Sequence, residues 1–153
     1  MKTIITVAVI IVLTIIACGK DRFQTVPQLK LKSRNTDVVP ANGTLRLNIE
    51  YTDKEGDVSD SLLIVRQRLN IHGPLTLPVS PYKIPVFPET DKGEFEVSLT
   101  YQFGLVFGLS PIRIPGSSPV RNEIDTLRFK IVARDKAGNK SDTLVVDNIY
   151  VTR

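Results

Sequence analysis

At 153 residues the chain has the length of one domain, against a usual ~100 to 200 residues per domain. Its 42% hydrophobic and 24% charged content excludes a largely disordered, a collagen-like and a polytopic membrane chain, and the single cysteine, Cys18, excludes a disulfide scaffold. A formal charge of +4 is too small to select nucleic acid as a partner.

Lys2 is the only charge before Lys20, and Ile4 to Ala17 holds twelve apolar residues and two threonines. This is the profile of an export signal. A spanning helix needs ~20 apolar residues to cross a ~30 Å hydrocarbon core. The run here is 14 long and ends in Ile15-Ile16-Ala17-Cys18-Gly19, a stretch that resembles the lipobox of bacterial lipoproteins. The resemblance implies a diacylglycerol on the Cys18 thiol, cleavage just before it, and acylation of the new amino group. Residues 1–17 are then a signal peptide, 18–26 a lipidated cysteine and tether, and 27–153 the folded domain. Two or three acyl chains, at ~0.8 kcal/mol per buried methylene, hold a protein at a bilayer where one chain holds it only marginally. The alternative is an ordinary secretory leader or a short uncleaved anchor, with Cys18 merely a small buried residue.

Further along, period-two alternation is clean in three places. Leu45, Leu47, Ile49 and Tyr51 alternate with polar residues, as do Phe95, Val97, Leu99, Tyr101 and Phe103, and then Leu127, Phe129, Ile131 and Ala133. One apolar and one polar face is what an antiparallel sheet covered on a single side requires. Leu62 to Val65 and Leu144 to Val146 are short apolar runs consistent with strands, and Leu29 and Leu31 mark a shorter first strand. The apolar parity changes between Val146 and Ile149, which predicts a bulge near Asp147-Asn148. No window shows a helical period.

Two turns carry nearly one sequence. Asp53-Lys54-Glu55-Gly56-Asp57-Val58-Ser59-Asp60-Ser61-Leu62 and Asp135-Lys136-Ala137-Gly138-Asn139-Lys140-Ser141-Asp142-Thr143-Leu144 are identical at six of ten positions, 82 residues apart. Each opens on Asp and places glycine three residues later, where a tight turn calls for positive φ. The pattern resembles an immunoglobulin-like or cadherin-like β-sandwich, and turns of this kind recur in exported lipoproteins of the Bacteroidota. The resemblance implies an all-β fold, an antiparallel sandwich of about seven strands in which the B–C and F–G loops share one pole.

Calcium is the first ligand to consider, since Asp53, Glu55, Asp57, Asp135 and Asn139, with Asp60 and Asp142 nearby, gather oxygen donors at that pole. Calcium takes six to eight oxygens, and extracellular modules bind it at ~0.1 to 1 mM. Against it, Asp, Asn and Gly are simply the residues that tight turns favour, and Lys54, Lys136 and Lys140 offset the acids. No cofactor is required by any motif.

The second candidate is a pair of long proline-punctuated connections, His72 to Pro88 and Gly104 to Pro119. Prolines every three or four residues make these extended arms or covers for edge strands, pointing toward the other pole. Phe107, Leu109, Ile112 and Ile114 are the expected partner-binding residues, with capping of the sandwich by its own arms as the alternative. A third surface places Arg66 and Arg68 outward beside Arg128 and Lys130, a basic face for an anionic glycan or headgroup, or a solvated stripe. The sole histidine, His72, reads as a loop residue, and Glu94 and Glu96 as surface acids. No nucleophile elbow, zinc-protease motif or phosphate loop occurs, so no enzyme is expected. The expectation is a non-catalytic binding or assembly module of the cell envelope, outer-membrane anchored, with an envelope protein or a glycan as partner. Residues 19–26 reach at most ~26 to 29 Å, which turns the Asp-Lys-x-Gly pole toward the bilayer and the arms away from it.

Overall fold

The computed structural model describes residues 25–58, 61–84 and 88–153. The expected signal peptide, Cys18 and most of the expected tether lie outside the described residues. The elements are β1 (Gln28–Arg34), β2 (Val38–Val39), β3 (Thr44–Thr52), β4 (Ser61–Arg68), β5 (Leu75–Lys83), β6 (Lys92–Thr100), a single π-helical turn (Tyr101–Leu105), β7 (Asp125–Arg134) and β8 (Leu144–Val151).

They form two layers, a three-stranded sheet ordered β1-β3-β6 and a five-stranded sheet ordered β2-β8-β7-β4-β5. This is the immunoglobulin-like arrangement A-B-E facing A′-G-F-C-C′. All neighbours are antiparallel except β2, which runs parallel to the end of β8 through Val38 beside Tyr150 and Val39 beside Val151. Alternation decides the packing. Leu45, Leu47, Ile49 and Tyr51 of β3 bury against Leu62 and Ile64 of β4 and Leu127, Phe129, Ile131 and Ala133 of β7 in one core cluster. Each fully buried aliphatic or aromatic side chain contributes ~1.5 to 3 kcal/mol. The Tyr51 ring stacks on Phe95 with centroids 6.0 Å apart, and Gly93 is required there, because a Cβ would fall 2.6 Å from the Tyr51 hydroxyl.

Register fixes the two poles. Ser61 pairs with Arg134 and Gln28 with Thr52, so both Asp-x-x-Gly turns and the start of β1 share one end. Arg68 pairs with Leu127, Asp125 with Val151 and Thr44 with Thr100, which puts the second long connection and the end of β8 at the other. The expected bulge is present. Leu127 faces Ile149 but Phe129 faces Val146, and Asn148 takes up the extra residue at φ 60°.

Three features depart from the sequence expectation. The alternation of β6 stops at Thr100, and the π-helical turn leaves Phe103 78% exposed rather than inward. The first proline-rich arm is mostly a strand: β5 pairs with β4 along its length, Pro78 included. It lies at a sheet edge, where the donor that proline lacks on the open side is not missed. Arg66 and Arg68 point inward, because the buried parity of Leu62 and Ile64 continues to them.

Candidate functional site

At the turn pole both loops close by one mechanism. The Asp53 carbonyl accepts the Gly56 N–H at 3.2 Å and its carboxylate accepts the Asp57 N–H at 3.2 Å. The Asp135 carbonyl accepts the Gly138 N–H at 3.2 Å and its carboxylate the Asn139 N–H at 2.7 Å. Both aspartates are buried, and both glycines have positive φ, +68° at Gly56 and +94° at Gly138. The side chains at the fifth position differ. The Asn139 amide donates to the second Asp135 oxygen at 2.8 Å, while at Asp53 the Oδ1 atom is buried without a hydrogen-bond partner. Burial, and then the neighbouring Asp57 carboxyl, push the Asp53 carboxyl above the ordinary carboxylate range. Of the expected calcium donors, Asp53 and Asp57 are brought together within one turn and Asp135 and Asn139 within the other, and Glu55 is exposed. Among the described residues no group of three His, Cys, Asp or Glu side chains is placed to hold a metal.

At the arm pole guanidinium groups do the reverse and collect backbone carbonyls. Arg66 donates to the carbonyls of Gly104 at 2.8 Å and Phe107 at 2.5 Å, and its burial pushes the guanidinium below its ordinary value. Arg68 donates to Gly73 at 2.6 Å and Ser110 at 2.8 Å, and Arg153 to Leu109 at 3.0 Å. The buried Asp125 carboxylate neutralises part of this charge, 3.4 Å from Arg68 and 2.6 Å from Arg153. Removing one member of such a set leaves an uncompensated buried charge, which costs ~3 to 5 kcal/mol. The expected basic face therefore does not form: Arg66 and Arg68 are spent inside, and Arg128 on the outer face pairs with Asp147.

So clamped, the arm both caps the sandwich and offers a surface. Leu105 and Leu109 enter the core. Leu109 is thus removed from the expected contact set: its side chain packs in the core at 5% exposure while Arg153 holds its carbonyl. Phe107 remains 68% exposed, Ile114 is exposed and Ile112 half-buried. Beyond them the arm makes a small hairpin, Arg113 bridging Asn122, tied to the β4–β5 turn by Asn70 donating to the Ile124 carbonyl at 2.8 Å. Ile71 in that turn is 91% exposed, and Val120 and Ile124 are exposed as well. His72 is exposed, with its Nδ1 2.9 Å from Glu123, as a loop residue would be.

A hollow of about 230 Å³ adjoins the arm between β5 and β6, lined by Val79, Tyr82, Ser98, Leu99, Thr100, Phe103 and Gly104. The Tyr82 hydroxyl donates to the Glu96 carbonyl and accepts the Ser98 N–H, both at 3.3 Å, which blunts the open edge of β6. Sequence reasoning missed this hollow and the inward arginines; the even-numbered parity through Leu62, Ile64, Arg66 and Arg68 was the available signal for the latter.

No family model matches the chain, and no curated protein matches it. Among solved structures it is similar to a beta-glucosidase from Listeria innocua, in complex with gluconolactone, at 12% identity and TM-score 0.44, covering 83% of this chain and 16% of that one. It is also similar to Spo0M, a sporulation control protein from Bacillus subtilis, at 9% identity and TM-score 0.42, covering 84% of this chain and 50% of that one. The chain thus spans half or less of the length of either neighbour.

Proposed function

We propose that the protein is a lipid-anchored, non-catalytic module of the cell envelope that binds a partner protein through its arm pole. The observation that supports this most is the pairing of exposure with fixation. Phe103 and Phe107 stand in solvent on a segment whose carbonyls are held by the buried Arg66. Apolar surface on a preformed scaffold loses little conformational freedom when a partner covers it. Because β1 begins at the turn pole, an anchor at Cys18 leaves the arm pole directed away from the bilayer. The test is a photo-crosslinking residue at Phe107, compared with one at Glu55, in intact cells. A discrete crosslinked protein from position 107 and none from 55 is the expected result; crosslinks from 55 alone overturn the reading. Cys18→Ser is expected to release the protein from the membrane fraction, and full retention would remove the anchor from the proposal.

A second reading, a calcium-stabilised adhesion-type domain, is favoured by the Asp53 oxygen that lacks a donor beside the Asp57 carboxyl. A cation there would give the buried Asp53 oxygen a partner at the ~0.1 to 1 mM affinity of extracellular modules. Millimolar calcium is then expected to raise Tm in the native chain and not in Asp57→Asn. An unchanged Tm in the native chain ends this reading.

A further inference from the structure

We propose that the outer face of the five-stranded sheet carries a binding site for a small anionic amphiphile, an acid group on a short apolar chain, with Leu63 and Val132 as its floor and Arg134 and Lys140 as its rim. The site is separate from the arm pole and does not depend on the function proposed there.

Leu63 and Val132 are direct cross-strand partners on β4 and β7. Their neighbours Leu62, Ile64, Ile131 and Ala133 fill the core, so strand parity turns Leu63 and Val132 to the outside, where Leu63 is 53% exposed. Solvent-facing aliphatic pairs at a sheet centre are costly to leave uncovered, at ~25 cal/mol per Å² of apolar surface. Here they line a hollow of about 240 Å³ together with Ser61, Leu62, Arg134 and Lys140. The two cations are placed as a pair by the backbone, since Arg134 and Lys140 form an isolated antiparallel bridge across the mouth of the β7–β8 turn.

Among the described residues neither Arg134 nor Lys140 has an ion pair, although cations close by do: Lys136 is 3.0 Å from Glu89, and Arg128 is paired with Asp147. A guanidinium presents a planar fork that matches a carboxylate or phosphate, and a second cation beside it disfavours any cationic ligand. The apolar floor in turn makes an inorganic anion a poor match. At about 240 Å³ the hollow falls below the ~300 to 1,000 Å³ of sites for drug-sized ligands, which selects a short chain.

Octanoate is the probe, titrated into the full-length chain while the methyl resonances of Leu63 and Val132 are followed by NMR. Acetate supplies the anion without the chain, and octan-1-ol the chain without the anion. Saturable shifts with octanoate at an affinity at least about tenfold above either control are expected, a tenfold step being ~1.4 kcal/mol. Arg134→Gln combined with Lys140→Gln, and separately Leu63→Ser, should each weaken binding at least about fivefold. Equal binding of acetate, undiminished binding by the variants, or no shift at millimolar octanoate overturns the proposal. A response to vesicles of anionic phospholipid without one to octanoate also overturns it, and assigns the patch to a bilayer surface instead.

Discussion

The two Asp-x-x-Gly turns share six of ten residues and one hydrogen-bond frame, and of the four positions that differ the fifth decides how each buried aspartate is satisfied. In the β7–β8 turn the Asn139 amide completes the shell of Asp135 at 2.8 Å, so the loop is satisfied by its own atoms. In the β3–β4 turn Asp57 stands where that amide stands, and two carboxyls face each other around one backbone frame. Their settings differ too. The β3–β4 turn is packed against the segment that leads into β6, with the Asp53 N–H donating to the Asp91 carbonyl at 2.8 Å and the Thr90 backbone against Gly56. Above Gly138 in the β7–β8 turn, the Arg134 side chain is the nearest neighbour among the described residues, 3.5 Å from where a Cβ would stand. A repeated sequence therefore reports a shared backbone geometry, and the site where the repeat breaks reports where the electrostatics diverge.

The largest expected effect that sharpens this contrast comes from the glycines. A Cβ on Gly56 would meet the Thr90 backbone at 2.9 Å in addition to the positive-φ penalty, while one on Gly138 meets nothing closer than 3.5 Å. Gly56→Ala is expected to destabilise by ~2 to 4 kcal/mol and Gly138→Ala by only ~1 to 2 kcal/mol in denaturant unfolding. Equal losses would mean that the packing over the first turn contributes nothing.

Exchanging the fifth positions comes next in size. Asp57→Asn gives Asp53 a donor and is expected to raise stability by ~1 kcal/mol, while Asn139→Asp removes one from Asp135 and lowers it by ~1 to 2 kcal/mol. Opposite signs in paired urea melts support the difference drawn here; the same sign in both refutes it.

The smallest effect is on pH dependence. Since the folded Asp53 carboxyl lies above its ordinary range, mainly through burial and then through Asp57, the folded chain holds more protons than the unfolded one across that interval. Its contribution to stability therefore falls as pH rises from the ordinary carboxylate range through the raised value. Asp57→Asn should reduce this slope in Tm measured between ~pH 4 and ~pH 7, and an unchanged slope would assign the shift to burial alone.

Much of the fold was legible because strand periodicity is a local signal. Leu45 to Tyr51 and Leu127 to Ala133 gave their buried faces directly, and the parity change after Val146 located the bulge that Asn148 occupies. The arms were less legible, since their conformation is set by distant partners. Nothing local in Tyr101-Gln102-Phe103-Gly104-Leu105 announces a π-helical turn, and the alternation that ran on to Phe103 was a false continuation. At Arg66 and Arg68 the two local signals conflict, charge pointing to the surface and parity with Leu62 and Ile64 pointing inward, and parity prevails. Their burial is intelligible only with the carbonyls of Gly104, Phe107, Gly73 and Ser110, up to 42 residues away, in view. The two-residue β2 is too short for any periodic signal and exists only through β8.

That parallel pairing has a mechanical consequence. β1 starts at one end of the sandwich and β8 finishes at the other, so a stretching force between them runs along the strands. The Tyr150 N–H to Asp37 carbonyl bond at 2.8 Å and the Thr152 N–H to Val39 carbonyl bond at 3.1 Å would be strained together in shear, not opened one after another like a zipper. A domain tethered at one end and tugged at the other would resist through this short clasp before its interior is exposed.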